Sequence, residues 1–307
     1  MHQNLHLAEG AREVHAVITV DAEAEHDRAP ESSGPAAAEV LILDCSGSMG
    51  HSPEQIAQAK RAAAAGIEEL RDGVSFAVIA GSSVARMHWP AEPALVPANA
   101  RTRAAAIASL DRLRADGGTA IGAWLRLAGR LLGTYPATTI RHAVLLTDGR
   151  DEHESPAELA AAVRDCAGLF TCDCRGVGTD WSVPELRTIA SALLGTVGMV
   201  AEPDGLVQDF RAMMTSSMRK GVCEVGLRLW TPVGATVRFV MQVAPDLVDL
   251  TARRLDSGPQ TCDYPTGSWG TESRDYHLCI NVEPGDLGDE KLAGRVTFVQ
   301  PGPENAT

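Results

Sequence analysis

The sequence predicts an α/β fold built on a doubly wound, mainly parallel sheet, joined to a smaller all-β unit. Two observations carry this. From Glu39 to about Lys220, short apolar runs alternate with Ala-rich segments of helical length. After Lys220 the helical segments stop, and strand-like runs are separated by Pro, Gly and Asp turns. Alternation of the first kind gives parallel strands joined by crossover helices, with helices on both faces of the sheet. Runs of the second kind give antiparallel strands and a small sandwich-like unit.

The elements follow in order. Glu13 to Asp21 (EVHAVITVD) is rich in β-branched residues and reads as one strand. The polar stretch from Ala22 to Ala38 carries Pro and Ala with little periodicity and reads as a linker. In the α/β part, strands are expected over 40–43, 75–80, 85–89, 143–146, 172–176 and 198–201. Helices are expected over 53–70, 102–113, 121–132, 156–169, 183–194 and 206–219. Three starts are marked by Ser before an early Pro: Ser52-Pro53, Ser155-Pro156 and Ser182-Val183-Pro184. The β part offers strands over 222–231, 236–243, 275–282 and 295–299, with Trp230 and Trp269 as core anchors. Four strands are few for a sandwich, so the N-terminal strand is expected to pair with them. The resulting organisation is 1–38 as strand and linker, 39–220 as a Rossmann-like α/β domain, and 221–307 as the C-terminal β domain.

Composition narrows the function. Apolar residues make up 45% and charged residues 22%, enough for a real core. Lys and Arg total 27 against 40 Asp and Glu, a net charge of -13 that repels phosphate backbones and argues against DNA or RNA as partners. The apolar stretch Val14 to Val20 is too short to span a bilayer, and the first residues lack a basic, then apolar, leader pattern. A soluble cytoplasmic protein is expected, with no membrane contact. The seven Cys, odd in number and irregularly spaced, do not form a disulfide framework. Cys166, Cys172 and Cys174 lack a fourth zinc ligand at suitable spacing and read as buried thiols.

Three separated segments carry the chemistry. Asp44-Cys45-Ser46-Gly47-Ser48-Met49-Gly50 follows the apolar strand ending at Leu43. Gly117-Gly118-Thr119 precedes a helix, and Thr147-Asp148-Gly149 follows a second apolar strand. Singly, each reads as a helix cap or a turn. Jointly they place carboxylate and hydroxyl oxygens at βα loops outside the carboxyl ends of the strands, where open α/β sheets bind ligands. Oxygen-only donors with two carboxylates suit a hard cation that keeps several waters. Asp44, Ser46, Ser48, Thr119 and Asp148 together resemble the metal-ion-dependent adhesion site of von Willebrand factor A domains, over roughly 39–219.

That resemblance implies a non-enzymatic module that holds Mg²⁺, with Mn²⁺ or Ca²⁺ as alternatives. A partner protein's Asp or Glu then supplies a further ligand. It also implies an accessory or scaffold subunit of a bacterial signalling or stress-response system. Two other readings exist: a metal-dependent hydrolase or phosphatase with His153 or Glu152 as base, and a structural subunit whose metal only ties the loops. Walker A, Gly-x-Gly-x-x-Gly and His-Glu-x-x-His motifs are absent, and Gly-x-Ser-x-Gly does not fit around Ser48. His51 and His153 are expected as solvated residues on the rim of the metal face. Asp151, Glu152 and Glu154 are expected as a solvated cluster at a helix start.

Overall fold

The computed structural model describes residues 1–4, 6–23, 36–51, 53–177, 181–200, 203–286 and 288–300. Most of the expected linker, the cap at Ser52 and the strand end at Ala201 lie outside the described residues. The chain divides into two compact units, one of Met1–Ala29 with Gly221–Thr307 and one of Pro30–Lys220.

The chain opens with β1 (His2–Gln3) and β2 (Glu13–Ala22), both of the first unit. The second unit then runs β3 (Ala37–Asp44), α1 (Pro53–Glu68), β4 (Ser75–Gly81), β5 (Ala85–Trp89), β6 (Val96–Pro97) and α2 (Ala100–Leu110). It continues with α3 (Ile121–Leu132), β7 (Ile140–Thr147), α4 (Pro156–Cys166), β8 (Thr171–Val177), α5 (Val183–Ala192), β9 (Val197–Val200) and α6 (Pro203–Met218). The sheet order is β5-β4-β3-β7-β8-β9, with β6 also paired to β4. Strands β4, β3, β7, β8 and β9 are parallel, while β5 and β6 run antiparallel at one edge. The sheet is therefore mixed, mostly parallel, and flanked by helices.

A parallel sheet covered on both faces needs strands that are apolar throughout. β3 is buried along its whole length, and residues alternate between its two faces. Val40 and Ile42 pack with Ile121, Trp124 and Leu125 of α3. A β-carbon on Gly66 of α1 would meet Met214 and Phe210 of α6 and reach Leu41, so α1 and α6 cover the opposite face. The chain leaves β3 toward β4 on one side and later returns to β7 on the other. The crevice at the carboxyl ends of β3 and β7 is thus the topological switch point.

Several expected boundaries shift. β3 begins at Ala37, so the last two residues of the expected linker are strand, drawn in by pairing with β4 and β7. α2 starts at Ala100, where Asn99 accepts from the backbone N–H groups of Arg101 and Thr102 while the Thr102 hydroxyl accepts from Asn99 N, a reciprocal cap. α4 and α5 end three and two residues short of the expected bounds.

The first unit is completed by β10 (Val222–Trp230), β11 (Thr236–Ala244), β12 (Val248–Asp249), β13 (Leu255–Gly258), β14 (Thr261–Trp269), β15 (Glu272–Asn281) and β16 (Arg295–Val299). They form antiparallel sheets of order β1-β2-β15-β11-β12 and β13-β14-β10-β16. β2 pairs with β15 over ten positions. Among the described residues this unit therefore has nine strands instead of the four or five expected. The longest unforeseen strand, β14, contains Pro265 and Gly267, both of which argue against a strand interior. Pro265 is tolerated because β13 flanks β14 only as far as Asp263. Tyr276, Trp269 and Phe298 join the two sheets through ring contacts. Trp269 is a core residue, whereas Trp230 is only half-buried. Cys45, Cys166, Cys172, Cys174, Cys262 and Cys279 are thiols outside any disulfide. Cys166, Cys172 and Cys174 sit in the apolar core of the α/β unit. Among the described residues, no helix is long and apolar enough to cross a membrane.

Candidate functional site

The first loop leaves β3 at Asp44, whose Oδ1 accepts from Ser46 N at 2.7 Å and so bends the chain back over the strand end. Gly47 N donates to Gly117 O at 2.8 Å, and Asp116 N donates to Cys45 O at 2.7 Å, which fastens this loop to the one carrying Thr119. Gly117 lies at φ +79, a backbone state that suits glycine. Met49 is fully buried and pins the turn from beneath.

The five residues singled out by sequence take these positions. Ser46 Oγ and Ser48 Oγ are 2.9 Å apart, and Ser48 Oγ donates to Asp148 Oδ1 at 2.7 Å. Asp44, Ser46, Thr119 and Asp148 are buried, and Ser48 is half-buried. Gly149 marks where Thr119, Ser48 and Asp44 converge. A β-carbon built there would stand 3.5 Å from Thr119 Oγ1, 3.6 Å from Ser48 Oγ and 4.0 Å from Asp44 Oδ2. Oxygens from three loops thus surround one small space that a side chain at Gly149 would fill. Hydroxyl and carboxylate donors without nitrogen or sulfur suit a hard divalent cation.

Burial pushes the Asp44 carboxyl up to about 6; bonds from Ser46 and Thr147 oppose this, and the Asp148 charge adds to it. A bound cation reverses this balance, since positive charge favours the ionised carboxylate.

The sequence reading missed three features. Thr147, at the end of β7, donates its hydroxyl to Asp44 Oδ2 at 2.5 Å and accepts from Gly149 N at 3.1 Å. A hydroxyl at a buried strand end was the available signal. The acidic residues after Asp148 do cap a helix, but it is α3 rather than the helix that follows them. Asp151 Oδ2 accepts from Ile121 N at 3.1 Å and Glu154 Oε2 from Gly122 N at 2.6 Å. Glu152 N and His153 N both donate to Thr119 O. This capping fixes the Thr119 loop to the Asp148 loop, and only the tertiary fold reveals it. Burial and the neighbouring Asp151 push Glu154 up to about 7, against the Gly122 N–H and Arg126. His51, His153 and Glu152 are exposed, and the His153 ring lies against Gly118, where a β-carbon would collide with it.

Fold and loops define a class: a doubly wound α/β domain with an oxygen-rich crown at its switch point. Residues 38–199, more than half of the chain, match the von Willebrand factor type A domain. The chain belongs to the von Willebrand factor type A family. Domains of this family are generally metal-dependent protein-interaction modules and commonly bind a divalent metal. A solved structure of a von Willebrand factor type A protein from Catenulispora acidiphila is 51% identical, with a TM-score of 0.92, over 97% of this chain and 68% of that one. An uncharacterized protein of Synechocystis is 29% identical over 219 residues, 69% of this chain; the match spans half of that protein's length. The ArnB paralog VWA2 from Sulfolobus acidocaldarius, 12% identical with a TM-score of 0.53 over 95% of this chain and 72% of that one, shares the fold.

Proposed function

We propose that the protein is a complete metal-ion-dependent adhesion module. In this reading Asp44, Ser46, Ser48, Thr119 and Asp148 hold Mg²⁺, directly or through water, and an Asp or Glu of a partner protein supplies a further ligand. With only two carboxylates, the donor set leaves the ion electrophilic and favours an incoming third. The observation that supports the reading best is the convergence of Thr119, Ser48 and Asp44 oxygens around Gly149. The protein acts by binding and not by catalysis, as a cytoplasmic accessory or scaffold subunit of a bacterial signalling or stress-response system.

Calorimetric titration tests this. Mg²⁺ and Mn²⁺ bind the wild-type chain at one site, and Asp44→Ala removes that binding while circular dichroism stays unchanged. Partner capture from the source cell should then occur with Mg²⁺, fail with EDTA, and fail with Asp44→Ala bait. Equal metal affinity in the variant rejects the site, and capture insensitive to both EDTA and the variant rejects the mode of recognition.

A further inference from the structure

We propose a second metal site, of the thiolate and imidazole type, on the outer face of the β1-β2-β15-β11-β12 sheet. Its ligands are His15 Nε2, Cys279 Sγ and the Glu13 carboxylate, and its ion is Zn²⁺ or a metal of similar preference. Strand geometry brings these groups together. Glu13 and His15 are two apart on β2 and share a face, and His15 lies directly opposite Cys279 of β15. Tyr276, Leu278 and Ile280 point into the sandwich, so His277 and Cys279 point outward.

The distances match a site close to assembled. His15 Nε2 lies 3.8 Å from Cys279 Sγ and 3.9 Å from Glu13 Oε2, and the three ligand atoms lie within 4.8 Å of one another. Around tetrahedral zinc, with bonds of about 2.0–2.3 Å, ligand atoms stand roughly 3.3–3.7 Å apart. The exposed Glu13 side chain has the freedom to close the remaining gap. A sulfur and an imidazole nitrogen select zinc-like ions over Mg²⁺ or Ca²⁺.

The surroundings supply what metal-bound histidines usually have. His15 Nδ1 is 3.1 Å from His277 Nε2, so a proton on Nδ1 donated to His277 leaves Nε2 as the lone-pair donor. Arg238 lies 3.7 Å from Glu13 Oε1 and leaves Oε2 on the His15 side. Phe239 pairs with Cys279 from the other flank and packs edge-on against His277, so the thiol is nearly hidden although it faces outward. The thiolate is the form of Cys279 that ligates a metal, so binding expels a proton from it. Three protein ligands leave a fourth position for water or an incoming donor.

The test uses the full chain, stripped with chelator and titrated with Co²⁺ as a spectroscopic substitute for Zn²⁺. One equivalent should produce a thiolate-to-cobalt charge-transfer band in the near ultraviolet with intense visible bands, and Zn²⁺ should abolish both. Cys279→Ser should remove the charge-transfer band. His277→Gln should keep the band and weaken binding about 10–100-fold, the usual loss when a partner of a metal-bound histidine is removed. Asp44→Ala should leave the spectrum unchanged, which separates this site from the oxygen crown. X-ray absorption of the wild-type zinc complex supplies a reading that needs no variant, with one sulfur among nitrogen and oxygen neighbours. Absence of a thiolate band, its survival in folded Cys279→Ser, or two or more sulfurs per zinc would overturn the proposal.

Discussion

Asp44 and Asp173 are enclosed carboxylates in one sheet, and their surroundings move them in opposite directions. Burial works to raise Asp173, but His142, bonded at 3.1 Å, and the Lys220 charge hold it well below the usual carboxylate range. The His142 ring is also 2.7 Å from Glu39, which in turn accepts a short bond from Ser217 of α6. Burial alone would lower His142, yet Glu39 and Asp173 raise it to about 9. That network, near the amino ends of β3 and β7, carries its own cation. At the carboxyl end of β3, burial raises Asp44, and Asp148 raises it further. Buried charge is stable where its counter-charge is covalently part of the fold, and at Asp44 the proposed Mg²⁺ would supply it.

The largest effect sharpens this contrast. His142→Ala leaves the buried Glu39 carboxylate without its cation, removes a partner of half-buried Asp173, and should cost about 3–5 kcal/mol in denaturant unfolding, the range for breaking a buried ion pair. By contrast, Asp44→Asn should leave metal-free stability at pH 8 unchanged or higher by on the order of 1 kcal/mol, because a raised carboxyl is a liability when ionised. Equal losses from the two substitutions would break the comparison.

Acidity gives the next effect, with opposite signs at the two ends. Asp44 moves from 3.8 to about 6, so the folded metal-free protein holds this proton more tightly than the unfolded chain does. Its contribution to stability falls as pH rises from about 4 to about 6, and the rise in Tm on adding Mg²⁺ should grow across pH 6. His142 moves from 6.5 to about 9, so its contribution is full below 6.5 and is lost as pH rises through 9. Thermal scans from pH 5 to 9.5 with and without Mg²⁺ separate the two. The smallest effect is Gly149→Ala. Its new methyl group meets neighbours only at van der Waals distance, so stability should change by roughly 0.5 kcal/mol or less. Mg²⁺ affinity measured by calorimetry should nevertheless fall about tenfold, or about 1.4 kcal/mol.

The parallel strands were legible because burial on both faces demands uninterrupted apolar runs, as in Val40-Leu41-Ile42-Leu43. The placing of Asp44, Ser46, Ser48, Thr119 and Asp148 in neighbouring loops was legible because each lies beside the end of a recognisable strand or the start of a recognisable helix. β14 was not, since Pro265 is allowed only by the shortness of its neighbour β13. The capping of α3 by Asp151 and Glu154 was hidden because its partners are about thirty residues away. The Glu39–His142–Asp173 network left one signal, an ionisable residue inside each of three buried strands, but pairing these residues requires the strand order. His15 and Cys279, separated by 264 positions, meet only through the pairing of β2 with β15.

The most direct measurement is the anomalous difference map of a crystal soaked in Mn²⁺. One strong peak is predicted at the carboxyl end of β3, within bonding distance of Ser46 Oγ and Ser48 Oγ and within reach of Asp44, Thr119 and Asp148 directly or through one water. A map with no peak there, at Mn²⁺ concentrations that saturate binding in solution, would contradict it.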